Sequence, residues 1–187
     1  MKHFIFTLLF ATNIYAAEKA VFAGGCFWCM EPPFEKLEGV SQVLSGYSGG
    51  EAATATYEKV SAGGTGHKES VEVTYDPAKV SYEKLVDTYF KNIDPYDEKG
   101  QFCDKGDSYK AVIFVNNDTE KKIAEEKSKS VQTAKAALGK VVTEILSLKK
   151  FYPAEDYHQD YYKKNPIRYT FYRSRCGRDT RLKNIGL

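Results

Sequence analysis

The stretch Gly24-Gly25-Cys26-Phe27-Trp28-Cys29-Met30-Glu31 decides the fold. A short apolar strand over 20–23 runs into the Gly-Gly turn, and the residues from Cys26 to about Leu37 read as a helix. A cysteine at the first helical position lies among unpaired backbone N–H groups and at the positive end of the helix dipole. Both favour thiolate over thiol. The chain's single tryptophan stands two positions on, with Phe27 between. A reactive sulfur beside two large apolar rings describes a site for a small, partly apolar substrate, not a charged one.

Upstream of this stretch, residues 1–17 read as a secretory signal peptide. Lys2 and His3 form a basic start, Phe4 to Ala11 is apolar, and Ile14-Tyr15-Ala16 predicts cleavage after Ala16 or Ala17. The apolar run is far short of the ~20 residues that span a bilayer. The expectation is an exported, periplasmic protein with no stable membrane insertion. Residues 18–187 are long enough for one domain with its own core. Acids and bases are interspersed (25 against 27), so no phosphate-tracking surface is expected. The four cysteines, at 26, 29, 103 and 176, are spaced poorly for structural bridges and read first as redox chemistry.

Downstream, Gly39 stops the helix and Val40 to Tyr47 reads as a strand. A polar, glycine-rich loop over 51–66 holds one isolated aromatic, Tyr57. In the next strand Val71, Val73 and Tyr75 share one face, and the same parity puts Glu69 and His67 on the apolar side. A carboxylate at the mouth of a buried face is the informative oddity. Ser81 caps a helix with a stripe of Leu85, Val86, Tyr89, Phe90 and Ile93. An irregular segment over 94–108 carries Cys103 and Asp104, and Ala111 to Val115 reads as a covered central strand. A charged helix to about Leu138, a strand from Val141 to Leu148, a short helix from Phe151 to Tyr162 and an Arg-rich, solvated tail complete the chain. Helices after every second strand argue for an α+β domain with a mixed or antiparallel sheet.

These residues together resemble the peptide methionine sulfoxide reductase A family. Gly24 to Glu31 resembles its signature, Gly66-His67-Lys68-Glu69 a second block, and Asp104-Lys105-Gly106-Asp107-Ser108-Tyr109-Lys110 a third. The resemblance implies a two-layer α+β fold around a ferredoxin-like core and reduction of the S epimer of methionine sulfoxide, free or in proteins. It further implies Cys26 as nucleophile, Phe27 and Trp28 as the methyl pocket, and Glu69 as the acid serving the sulfoxide oxygen. Tyr57 and Tyr109 match phenols around that oxygen, and Asp104 a nearby carboxylate. Electrons would return from thioredoxin or a thioredoxin-like donor. The chain departs from the family in two places. The usual recycling cysteine is missing near Arg168-Tyr169-Thr170, and Phe102-Cys103 replaces a commoner glycine and variable residue.

The chemistry suits these residue types. A sulfoxide needs a soft nucleophile at sulfur and a proton at oxygen as the S–O bond weakens. A thiolate and a carboxylic acid kept protonated by an apolar setting supply them. Attack leaves a sulfenic acid on Cys26, which a second thiol condenses to a disulfide. Cys176, in a mobile-looking basic tail, is the first choice for that thiol, with Cys103 and Cys29 as alternatives. The reading calls for no cofactor and no metal, and for a monomer. Three other classes fit less well. A thioredoxin-like oxidoreductase using Cys26 and Cys29 leaves Glu69 without a role. A zinc module has only one close cysteine pair. A nucleic-acid module reading through the aromatic-basic tail leaves the Cys26 region unexplained.

Overall fold

The computed structural model describes residues 16–187, so all but the last two residues of the expected leader lie outside the described residues. In chain order the first half forms β1 (Glu18–Ala23), α1 (Phe27–Glu35), β2 (Val40–Ser48), α2 (Tyr57–Ala62), β3 (Lys68–Tyr75) and α3 (Tyr82–Phe90). A tight hairpin follows, β4 (Gly100–Gln101) and β5 (Asp104–Lys105), then β6 (Val112–Val115), α4 (Asp118–Ala134) and β7 (Glu144–Ser147). The chain closes with β8 (Phe151–Pro153) and the tail helices α5 (Tyr161–Lys164), α6 (Pro166–Arg175) and α7 (Arg178–Ile185).

The large sheet has the order β7-β6-β1-β3-β2-β8. Its pairs are antiparallel except β6 with β7, which run parallel. β1 sits near the middle because its run Ala20 to Ala23 is apolar on both faces and fully buried. The α+β class is therefore the observed one. α1 and α3 lay their apolar stripes on the sheet: Phe22 stacks on Phe34 at 5.1 Å and on Tyr89 at 5.3 Å between ring centres. Each such side chain contributes about 1.5–3 kcal/mol by leaving water. Ser81 caps α3 as its sequence predicts, accepting a hydrogen bond from the Lys84 amide at 3.2 Å.

Three local expectations give way to tertiary pairing. Phe151 to Pro153 is a strand, not the start of a helix, because it completes the free edge of β2 with Tyr152 opposite Tyr47. The loop over 51–66 contains α2, and Tyr57 is its first residue. The Arg-rich tail is helical and docked, not solvated. Arg178 is 1% exposed and donates to the carbonyls of Gly24 (3.0 Å) and Asn92 (2.7 Å). Its guanidinium also lies 4.5 Å over the Phe102 ring. A buried cation is held only where backbone acceptors and a π face replace its water. Here that requirement fastens the end of the chain to the turn before α1.

Candidate active site

The turn that delivers Cys26 is built so that only glycine fits. Gly25 has φ +78°, and a Cβ there would stand 2.5 Å from the Cβ of Gln101. Cys26 is the N-cap of α1, one residue before the helix proper and not its first residue. Its side chain is 5% exposed and opens into a cavity of about 80 Å³. Phe27 and Trp28 from α1, Tyr57 from α2 and Glu69 from β3 line the same cavity, as do Asp104 from β5 and Tyr109. Every pocket residue expected from the sequence thus meets in one place. An eighth, Tyr172 of α6, joins them.

Glu69 is 3% exposed, as the strand parity predicts. Its Oε2 accepts a hydrogen bond from the Phe27 amide at 3.1 Å, which ties β3 to the open end of α1. Burial lifts its carboxyl to about 8, against the opposing pull of that amide. At neutral pH the group is a carboxylic acid beside the sulfur. Burial likewise raises the phenols of Tyr57 and Tyr109, with the carboxyl of Glu69 adding to it, so both keep their protons to donate.

Cys26 departs from its expected state. Burial pushes its thiol well up, and Cys29, Glu69 and Asp104 add to the shift. Desolvating the charge outweighs the ~0.3–1 kcal/mol that a helix start offers an anion. At neutral pH the Cys26 sulfur therefore keeps its proton. Cys29, one turn inside α1 and 2% exposed, is drawn down to about 6, first by the hydrogen bond from Cys26 and then by Arg178 and Arg173. It does not line the cavity.

The other two cysteines are joined: Cys103 and Cys176 form a disulfide, leaving Cys26 and Cys29 free. Cys103 sits at the tip of the β4–β5 hairpin, next to Phe102, whose φ of 54° is left-handed. A glycine would adopt that conformation without the ~1–2 kcal/mol cost a side chain carries. The Arg178 guanidinium over the ring helps hold it. Cys176 caps the end of α6.

Supporting residues that sequence reasoning missed come from the last forty residues of the chain. The Trp28 indole N–H donates to Nδ1 of buried His158 at 3.1 Å, and the Trp28 ring stacks face to face on Tyr161 at 3.7 Å. Tyr172 meets the edge of Trp28 and donates its hydroxyl hydrogen bond to Asp104. Glu155 accepts from the Tyr57 amide at 2.9 Å and from the Tyr47 hydroxyl at 2.8 Å, which orients α2. His67 has a structural place: Nδ1 accepts from the Gly50 amide at 3.2 Å, and Nε2 meets the Glu51 carbonyl at 3.0 Å.

The arrangement pairs a buried thiol with a neutral carboxylic acid, two phenols and an aromatic wall, with a disulfide beside it. Such a pocket has room for a small, uncharged, polarised group and can offer it a sulfur on one side and acidic protons on the other. Comparison with known proteins agrees. A family profile described as "Peptide methionine sulfoxide reductase" matches residues 18–186. The chain is 52% identical over 162 residues to "Peptide methionine sulfoxide reductase MsrA" of Listeria welshimeri, covering 86% of this chain and 91% of that one. Among solved structures it is similar to reduced Mxr1 from Saccharomyces cerevisiae, with TM-score 0.74 and 31% identity over 81% of this chain and 87% of that one. It is also similar to methionine sulfoxide reductase A of Corynebacterium diphtheriae, with TM-score 0.72 and 33% identity over 81% of this chain and 76% of that one.

Proposed function

Because the chain belongs to the peptide methionine sulfoxide reductase family, we propose that it reduces the S epimer of methionine sulfoxide, free or in proteins, to methionine. The observation that carries this reading is the buried Glu69 carboxyl lining the same cavity as Cys26. Cys26 attacks the sulfoxide sulfur while Glu69 passes its proton to the oxygen and takes up the one Cys26 releases. The hydroxyl then passes from the substrate sulfur to the Cys26 sulfur as the transient bond between the two sulfurs breaks. Thiol plus sulfoxide becomes sulfenic acid plus thioether, with atoms and electrons in balance. Phe27 and Trp28 receive the methyl group. A methyl is worth only about 1–3 kcal/mol of discrimination, so the choice of epimer falls to the donors around the oxygen.

Recycling follows from the paired cysteines. Cys176 condenses with the Cys26 sulfenic acid and releases water. Cys103 then attacks Cys176, freeing Cys26 and leaving the Cys103–Cys176 bond for a thioredoxin-like dithiol. Cys103 is the exposed sulfur of that pair, which is where an external thiolate must arrive. The segment order β1-α1-β2-β3-α3-β6, with strands arranged β6-β1-β3-β2, supports a ferredoxin-like core within the larger sheet. The leader over 1–17 makes this an exported enzyme, acting on proteins oxidised outside the cytoplasm.

The direct test is incubation of the purified protein with racemic N-acetyl methionine sulfoxide and dithiothreitol. Consumption is expected to stop at half the racemate, with the R epimer left. Consumption of both epimers, or of neither, contradicts the reading. In a second arm, Cys176→Ser is expected to form one equivalent of N-acetyl methionine per enzyme and then stall with thioredoxin. Sustained turnover there would transfer the recycling role to another thiol.

A further inference from the structure

Asp104 touches more of this machinery than a pocket-lining carboxylate needs to. It lies on β5, immediately after Cys103 at the hairpin tip, and its two oxygens straddle the disulfide. Oδ1 is 3.7 Å from the Cys103 sulfur and Oδ2 is 3.9 Å from the Cys176 sulfur. Oδ2 also accepts the hydrogen bond of Tyr172. Tyr172 and Cys176 are four residues apart along α6, so both stand on one face of the helix, aimed at the same carboxyl. The Cys103 amide lies 3.2 Å from the Cys176 sulfur, a donor ready to favour that sulfur as an anion.

We propose that Asp104 carries the protons of the cysteine relay: its carboxylate takes the proton from Cys176 when that thiol becomes a nucleophile, and hands a proton back to that sulfur when the Cys103–Cys176 bond is opened. The proposal rests on the reductase reading for its place in the cycle. In the condensation the Cys176 thiol loses its proton to Asp104, and its sulfur bonds to the Cys26 sulfenic sulfur. The departing hydroxide takes that proton and leaves as water. The Cys26 sulfur is reduced and the Cys176 sulfur oxidised by the same electron pair. When an external dithiol later opens the Cys103–Cys176 bond, it supplies two electrons and two protons and leaves as a disulfide; Asp104 takes up one of those protons and passes it to the departing Cys176 thiolate, and the other ends on Cys103.

The groups around Asp104 suit a carrier. Burial raises its carboxyl from the ordinary aspartate value. Tyr172 from α6, Arg178 from α7 and Lys105 beside it on β5 pull the other way and keep the ionised form within reach. From the pocket side it faces Glu69, Tyr57, Tyr109 and Cys26, all of which hold their protons at neutral pH.

The test uses closure of the reduced Cys103–Cys176 pair by oxidised glutathione. No sulfoxide is required, so the outcome is separate from success or failure of the reductase assay. Closure is followed by thiol alkylation and peptide mapping from pH 5 to 9. Wild-type closure is expected to fall off at low pH as Asp104 becomes protonated and to level at higher pH. Asp104→Asn is expected to close about 100-fold more slowly at pH 7, with a rate that climbs steadily as hydroxide takes over. Asp104→Glu is expected to restore the levelled profile. A residue that merely shapes the hairpin would change the rate without changing its pH dependence. Asp104→Asn closing with the wild-type profile, whatever its rate, overturns the proposal. So does an Asn variant that fails to close even at pH 9, since the carboxyl would then hold the pair together instead of serving its proton.

Discussion

Cys26→Ser is expected to lower formation of N-acetyl methionine from its sulfoxide by about 10⁴-fold or more, even with excess dithiothreitol. The hydroxyl is a poor nucleophile toward sulfur, and nothing in the pocket is basic enough to ionise it, because Glu69 is itself an acid there. Cys29 does not rescue the variant. It lies one turn inside α1, 2% exposed, and contributes nothing to the cavity wall. Single-turnover formation of N-acetyl methionine, read by chromatography, checks this. A residual rate within tenfold of wild type would place the chemistry on another sulfur.

The second large effect belongs to Glu69. Glu69→Gln keeps the shape and still accepts from the Phe27 amide, but it has no proton to give at the required strength. Its single-turnover rate is expected to fall by about 10²–10⁴-fold. The pH dependence gives the sign independently. With Glu69 as the proposed proton donor the acid form is the one that works, so the wild-type reductase step is expected to be intact below pH 7 and to be lost as pH rises through about 8. The Gln variant should lack that loss. Stability follows the same proton. The folded carboxyl, at about 8, binds its proton more tightly than the unfolded one near the ordinary 4.5, so folding is favoured below that window and loses this contribution as pH rises through it. Urea unfolding at pH 9 should therefore find Glu69→Gln more stable than wild type, while the two differ little at pH 5. A wild-type profile that rises through pH 8, or a Gln variant less stable at pH 9, would count against a buried acid.

Much of this site was legible in the sequence because two local rules happen to specify it. A Gly-Gly turn between an apolar strand and a helix fixes where Cys26 sits. Period-two alternation through Val71, Val73 and Tyr75 fixes which way Glu69 points. Both are short-range facts of backbone geometry. Tyr57 and Tyr109 were reached only through the family resemblance, since neither stands out by periodicity. His158, Tyr161 and Tyr172 carry no local signal that ties them to Trp28. They reach Trp28 from more than a hundred residues away, across a segment whose local pattern predicts a helix where an edge strand forms. The tail misled for a similar reason. A run of arginines reads as solvated until Gly24 and Asn92 turn their carbonyls toward one of them, Arg178. The state of Cys26 shows the same limit. Its helix-start position is visible in the sequence, whereas the burial that reverses its ionisation is a property of everything packed around it.

The most direct measurement is the titration of the Glu69 carboxyl itself, by carbon NMR of enzyme labelled at the glutamate side-chain carboxyl and assigned with Glu69→Gln. A midpoint near 8 is the predicted result. A midpoint near that of an exposed glutamate would mean that the carboxyl is ionised at neutral pH and cannot protonate a sulfoxide oxygen, and would contradict the account.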